Sequence, residues 1–438
     1  MRRRDLLLAA MAPAPDLQLK PIAARHTAIA ERDTRAGIWG RIGGSPAEHL
    51  SAAVLHDQLQ SILPQVKLEE FAFEAHRALD WSLQVDGAPL RTAMPAPFEA
   101  RFPDGGRTAK IVHIAPDGDW SSAKDKWAFV SSSATSSTAF NIVRENLLYQ
   151  KAVAAQAAGL IFALPTPKSS RWRSVVPVDK PYAVKDERYP GGLRPIPCFA
   201  IDSIDGALAA GAATATASIT YSRPSKLTGR NVVGYLPGSS DHATGIMCHI
   251  DSFFTGAIDN ASGIAAMVGV AESLARLPRG ARRTAFYFLG LSAHHDEAAG
   301  MRDWVARDRG RFARVRHLVL LEHVDAIDSE EGRTAGWPMP LNNQRTAYLG
   351  SEGWPEVRAL LPNLVRESGV MTVDPKMQDS CIADLFVTCG QVKSFCLMNA
   401  PPYYHTDHDT IDRISESGIR NAATFHNLLL AKLGLAQF

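Results

Sequence analysis

Charge of one sign, cysteine and long apolar runs are all scarce in this sequence, and each scarcity excludes something. The 438 residues carry 47 Lys and Arg against 45 Asp and Glu, a formal net charge of +2. Nucleic-acid binders usually carry a strong basic excess, so the balance argues against that class. The five cysteines, Cys198, Cys248, Cys381, Cys389 and Cys396, are too few for a disulfide scaffold and show no C-x-x-C spacing. Three of them crowd near the C-terminus, where one local disulfide fits; burial as apolar thiols is the preferred expectation, since free Cys is among the most buried residue types. No run reaches the roughly 18 apolar residues of a membrane-spanning helix. With 32 Gly and 27 Pro the composition is far from low complexity. What remains, 46% hydrophobic and 21% charged, suits a globular chain with a sizeable core, in two or three domains by length.

The N-terminus needs separate handling. Arg3-Arg4-Asp5 followed by Leu6, Leu7 and Leu8 resembles a twin-arginine export signal within residues 1–15. Its apolar core is short, and both small-x-small sites would place Pro13 or Pro15 first in the mature chain. Export to the periplasm or beyond and a ragged cytoplasmic N-terminus both stay open.

From about Lys226 onward, apolar strand-like runs alternate with amphipathic stretches. Strands are expected at 231–236, 244–250, 284–291, 315–324 and 392–398, and helices at 262–277, 301–312, 356–367 and 419–435. Such alternation indicates an α/β fold, a mostly parallel mixed sheet covered by helices on both faces. Ser45-Pro46-Ala47-Glu48 opens a helix to about residue 63. Residues 95–223 differ in texture, with a Ser-rich stretch at 131–138, an Ala-rich helix ending at Gly159, a strand at 160–164 and a Pro/Gly-rich loop. They are expected to form an insertion within a domain of residues 16–94 and 224–438.

Chemistry-bearing residues gather after residue 240, each group at the end of an expected strand: His249-Ile250-Asp251 with Asp259-Asn260, His294-His295-Asp296-Glu297, Glu322-His323 with Asp325, and His405 through Asp409. The carboxyl edge of an open α/β sheet is where ligands bind. Four imidazole/carboxylate clusters at one edge are costly to bury without a partner, and that donor set suits zinc or another divalent transition metal.

On these residues the chain resembles the zinc exopeptidases of the aminopeptidase-Y and glutamate-carboxypeptidase type (clan MH), which often carry a protease-associated (PA) domain insertion. The signals are His249-x-Asp251, Asp259-Asn260-Ala261-Ser262-Gly263 and His405-Thr406-x-x-Asp409-Thr410, in the family's order. The resemblance implies a phosphorylase/hydrolase-like fold, a β-rich protease-associated domain at 95–223, and a peptide or small amide substrate cleaved by a metal-activated water. It makes His249, Asp259, His295, Glu322 and His405 the ligands of one or two zinc ions, with Asp259 bridging and Asp251 orienting His249. Where the family has a Glu-Glu pair, this sequence has His294-His295. His295 can still ligate, but the cluster loses carboxylate charge, and a second ion should bind more weakly. His294, with an unperturbed pKa of about 6.5, becomes the expected proton acceptor, with Asp296 or Glu297 as alternatives. Three outcomes follow from the same residues: a metallopeptidase of aminopeptidase type, a non-catalytic scaffold, or an acyl-transfer enzyme of the glutaminyl-cyclase kind. Tyr403-Tyr404 either line a pocket or pack into the core.

Overall fold

The computed structural model describes residues 11–32, 40–75, 77–97, 100, 102, 105–131, 142–177, 195–222, 225–327, 345–349, 354–370, 378–379, 381–399 and 403–438. The twin-arginine-like residues, the Ser-rich stretch beyond Ser131 and the Trp337-Pro338-Met339-Pro340 segment lie outside them.

The described strands form two sheets. The first runs Gln65–Ala75, Ser225–Leu236, Ala285–Leu291, Ala243–His249, Val315–Leu320, Lys393–Asn399, Arg345–Leu349, Gln378–Asp379. Ala285–Leu291, Ala243–His249, Val315–Leu320 and Lys393–Asn399 are mutually parallel at its centre; the flanking pairs are antiparallel, except that Arg345–Leu349 and Gln378–Asp379 run parallel at one edge. Ala243–His249 and Ala285–Leu291 are buried at every residue, because helices cover both faces. On one face Ile22, Leu55, Met267, Leu364 and Phe425 bring helices Lys20–Arg32, Pro46–Gln60, Gly263–Ala275, Pro355–Ser368 and Glu416–Lys432 into one core. On the other, Met301 and Trp304 of helix Ala299–Arg307 pack with Leu385 of the short turn Ala383–Thr388. This is the expected α/β class.

Local chemistry explains where elements start and stop. Ser45 caps Pro46–Gln60 by accepting from the Glu48 N–H. The expected helix 301–312 is split at Asp308, whose backbone leaves the helical region while its carboxylate accepts from the Arg311 N–H and starts Arg309–Ala313. The expected strand 315–324 stops at Leu320, and residues 321–325 turn across the sheet edge.

The second sheet runs Ala88–Pro89, Ala78–Val85, Thr214–Tyr221, Arg107–His113, Trp127–Ser131, Gly159–Ala163, Cys198–Ile201, Met94–Pro95, with helices Ile142–Ala154 and Ser203–Ala210. The expected boundary at Pro95 falls inside it. The chain leaves the first sheet after Ala75, and Ala78–Val85 already pairs with Thr214–Tyr221, Trp81 opposite Ile219 and Leu83 opposite Ala217. The preference for thiols fails at one pair: Cys381 and Cys389 are disulfide-bonded, because the turn between them brings their Cα atoms to 5.8 Å. Cys198, Cys248 and Cys396 are free and buried. No helix of the described residues is long and apolar enough to cross a membrane.

Candidate metal centre

The four central strands end at His249, Leu291, Leu320 and Asn399, so the loops after them meet at one edge. Non-glycine residues in the left-handed backbone region gather in these loops: Phe254, Ala293, His323 and His405, at φ between 49° and 56°. L-residues rarely adopt that conformation, and its clustering at functional loops reflects positions fixed by surrounding contacts.

Asp259 stands at the middle. Its Oδ1 lies 3.0 Å from Nε2 of His249 and 2.9 Å from Nε2 of His323. Its Oδ2 lies 3.0 Å from Nε2 of His405 and 3.7 Å from Nε2 of His295, and those two nitrogens are 3.1 Å apart. One carboxylate thus separates two imidazole pairs. All five side chains are buried. Nε2 of His249 and both oxygens of Asp259 nevertheless make no aligned hydrogen bond among the described residues. Donor atoms that converge at such distances without hydrogen-bond alignment suit a cation: ligands at 2.0–2.1 Å around a tetrahedral zinc lie about 3.3 Å apart.

The tautomers fit as well. Nδ1 of His249 lies 2.9 Å from the Asp251 carbonyl oxygen and must donate to it, which leaves the Nε2 lone pair facing Asp259. Nδ1 of His295 lies 2.7 Å from Oδ2 of Asp251 and is set the same way. Asp251 therefore differs from its expected role: its carbonyl holds His249, whereas its carboxylate holds His295 and also accepts the N–H groups of His294 and His295. Burial opposes charge at every one of these groups. Even so, His323 and His249 keep Asp259 well below the usual carboxylate range, and His295 and His249 do the same for Asp251.

Three buried groups fix the loops from behind. The Arg41 guanidinium donates to the carbonyls of His26, Ile250, Thr255 and Gly256, bracketing the segment between Asp251 and Asp259. The Asp409 carboxylate accepts the N–H groups of Ile258 and Asp259, and burial pushes its pKa up to about 7. Asn260 donates to the Leu321 carbonyl and accepts the His323 N–H, tying the Asp259 turn to the His323 loop.

His249, Asp259, His295 and His405, all expected from sequence, meet here. Glu322 does not take the expected place against Asp259. The neighbouring His323 does, with Oε1 of Glu322 3.7 Å from its Nε2. A Glu322 carboxylate oxygen instead groups with ring nitrogens of His249 and His294 within 4.8 Å. His294 stacks on His249 at 4.1 Å between ring centroids, and its Nδ1 lies 3.0 Å from Oδ2 of buried Asp384. Burial, then His249, holds the His294 pKa well below its ordinary value. Asp296 points away from the centre into a bidentate pair with Arg77, at 2.6 and 2.8 Å. His323 and Asp384 were missed in the sequence; a second imidazole beside Glu322 was the visible signal for the first, and nothing local marked the second. Tyr403 is core, while Tyr404 stacks on His405 and lies against His323.

The second sheet's chain reaches this edge. Arg173 pairs with Asp407 through its side chain and backbone, and the Val175 N–H donates to the His405 carbonyl.

Comparison with known proteins agrees with this architecture. Residues 231–336 match the model of peptidase family M28. The chain carries a peptidase family M28 domain. The match supports a peptide-bond hydrolase. Similar solved structures include a zinc aminopeptidase from Bacillus subtilis (TM-score 0.66, 19% identity, 94% of each chain covered). Others are a peptidase M28 precursor from Shewanella amazonensis SB2B (TM-score 0.70, 17% identity, 99% of this chain and 96% of that one) and an aminopeptidase from Aneurinibacillus sp. strain AM-1 (TM-score 0.58, 18% identity, 94% and 93%). At such identities the likeness carries the fold alone. No curated protein matches the sequence.

Proposed function

We propose that this chain is a zinc-dependent exopeptidase of aminopeptidase type with a histidine-rich centre. The observation that carries the proposal is the Asp259 carboxylate standing between His249 with His323 and His295 with His405. Those five side chains would hold two divalent ions, the second more weakly because Asp259 is the one carboxylate shared by both pairs. When bound, such ions polarise a peptide carbonyl and acidify water. Asp251 holds His249 and His295 in their ligating tautomers, and His294 takes the proton from the attacking water and returns it to the leaving amine. A cleft beside His295, lined by Ile42, Arg77, Phe253 and Asp296, would admit the substrate. The aminopeptidase names of the similar solved structures support the exopeptidase specificity. The second sheet we assign to a protease-associated type of insertion, whose contacts to the His405 turn hold that ligand.

The test is metal analysis of purified protein together with a panel of aminoacyl p-nitroanilides. Near-stoichiometric zinc with release of N-terminal residues is expected; protein that takes up no zinc, manganese or cobalt sinks the proposal. A metal-holding scaffold without hydrolysis is the second reading, favoured by the imidazoles of His294 and His295 where the resemblance calls for two carboxylates. Full zinc with no turnover on any amide would establish it.

A further inference from the structure

We propose that Asp384 is a positioning residue that makes His294 the proton acceptor of this site. The inference rests on the peptidase reading above. Its basis is a buried pair from loops 90 residues apart: Nδ1 of His294 and Oδ2 of Asp384 at 3.0 Å, with Asp384 fully buried and His294 6% exposed. A carboxylate oxygen can only accept at this contact, so Nδ1 carries the hydrogen and the lone pair is on Nε2. A third group that orients a base in this way is the general logic of activated proton transfer in enzymes.

The rest of the surroundings fix the same ring. Its backbone N–H is held by Oδ1 of Asp251 at 3.0 Å, and its face rests on His249, 14° from parallel. Asp384 is fixed in turn: the disulfide between Cys381 and Cys389 closes the turn that bears it, Ala383 just before it is buried with φ of 48°, and Leu385 just after it is buried in the core. The replacement of a carboxylate by an imidazole at position 294 is thereby balanced from a distance. A Glu322 carboxylate oxygen also lies within 4.8 Å of a ring nitrogen of His294. In the reaction the water oxygen bonds the carbonyl carbon while its proton passes to Nε2. As the carbon–nitrogen bond breaks, the same proton passes to the amine, and Nδ1–H stays with Asp384 throughout.

The experiment compares the zinc-loaded wild type with Asp384→Asn and Asp384→Glu, using steady-state kinetics, metal content, thermal midpoint and imidazole ¹⁵N spectra assigned through His294→Gln. We expect Asp384→Asn to lower kcat by about 10²-fold or more while KM, zinc content and midpoint hold. Asp384→Glu should recover part of the loss. The His294 signals should report the Nδ1–H tautomer in the wild type and lose it in Asp384→Asn. A wild-type Nε2–H tautomer at His294, or an Asp384→Asn enzyme with near-normal kcat, overturns the assignment. If the wild type hydrolyses no amide, the peptidase reading fails by itself, and the tautomer spectra still decide the pair. Should Asp384→Asn not fold, Asp384→Glu and the wild-type spectrum carry the decision.

Discussion

In the proposed centre one side chain, Asp259, is shared by both imidazole pairs. Its two oxygens each face an imidazole pair, so its loss should empty both positions, whereas loss of one imidazole should weaken one. Asp259→Asn is expected to retain essentially no zinc after dialysis, and His323→Ala to lose about one ion per chain, as read by elemental analysis. Glu322→Gln should leave zinc content nearly unchanged, which separates it from its neighbour. The residue scale is also where the sequence was most and least informative. His249, Asp259 and His405 were legible because each stands in a motif at a strand end. The choice between Glu322 and His323 was not legible, since the strand stops at Leu320 and alternation no longer says which side chain faces the centre. His323, in the left-handed backbone region, is the one whose Nε2 lies 2.9 Å from Asp259.

At the scale of elements, the loop from His249 to Asp259 is held by Arg41, which approaches from the segment before helix Pro46–Gln60. Its guanidinium satisfies four backbone carbonyls with no exposure to water. Arg41→Met keeps the length of the side chain but strands those carbonyls. We expect a loss of more than about 3 kcal/mol of stability, since hydrogen bonds to charged groups contribute about 1.5–3 kcal/mol each, checked by urea unfolding of the metal-free protein. Arg41→Lys should lose less while still releasing part of the loop. The central strands and their helices were legible from periodicity. The long strand Gln65–Ala75 was not, because it is an edge strand whose first residues alternate only weakly between exposed and buried. Nor was the true start of the second sheet, which depends on Ala78–Val85 finding Thr214–Tyr221 more than a hundred residues later.

For the whole molecule, three titratable groups that hold none of the proposed ligands, buried His26 and Glu48 and half-buried His317, contribute to how stability depends on pH. Burial pushes His26 down to about 3 and His317 down to about 4 from 6.5, so between those limits the unfolded chain binds more protons and stability falls as pH drops below about 6.5. Burial pushes Glu48 up to about 8 from 4.5, so there the folded chain binds the extra proton and stability falls as pH rises through that interval. Taken by themselves these three place a maximum near pH 6.5. Glu48→Gln should lessen the decline between pH 6.5 and 8 and steepen the acid side between pH 4.5 and 6.5, measured as thermal midpoints across pH for both proteins. An unchanged alkaline slope in the variant would show that Glu48 is not the cause.

By itself the sequence determined the α/β class and the placing of imidazoles and carboxylates at strand ends, because both follow from residue spacing along the chain. Only the tertiary structure decided that His323 joins His249 on Asp259, that Asp251 serves His295 as well as His249, and that Asp384 reaches His294. Those pairings join loops that are far apart in the chain. They depend on the order of strands in the sheet and on a few left-handed backbone angles, neither of which local spacing encodes.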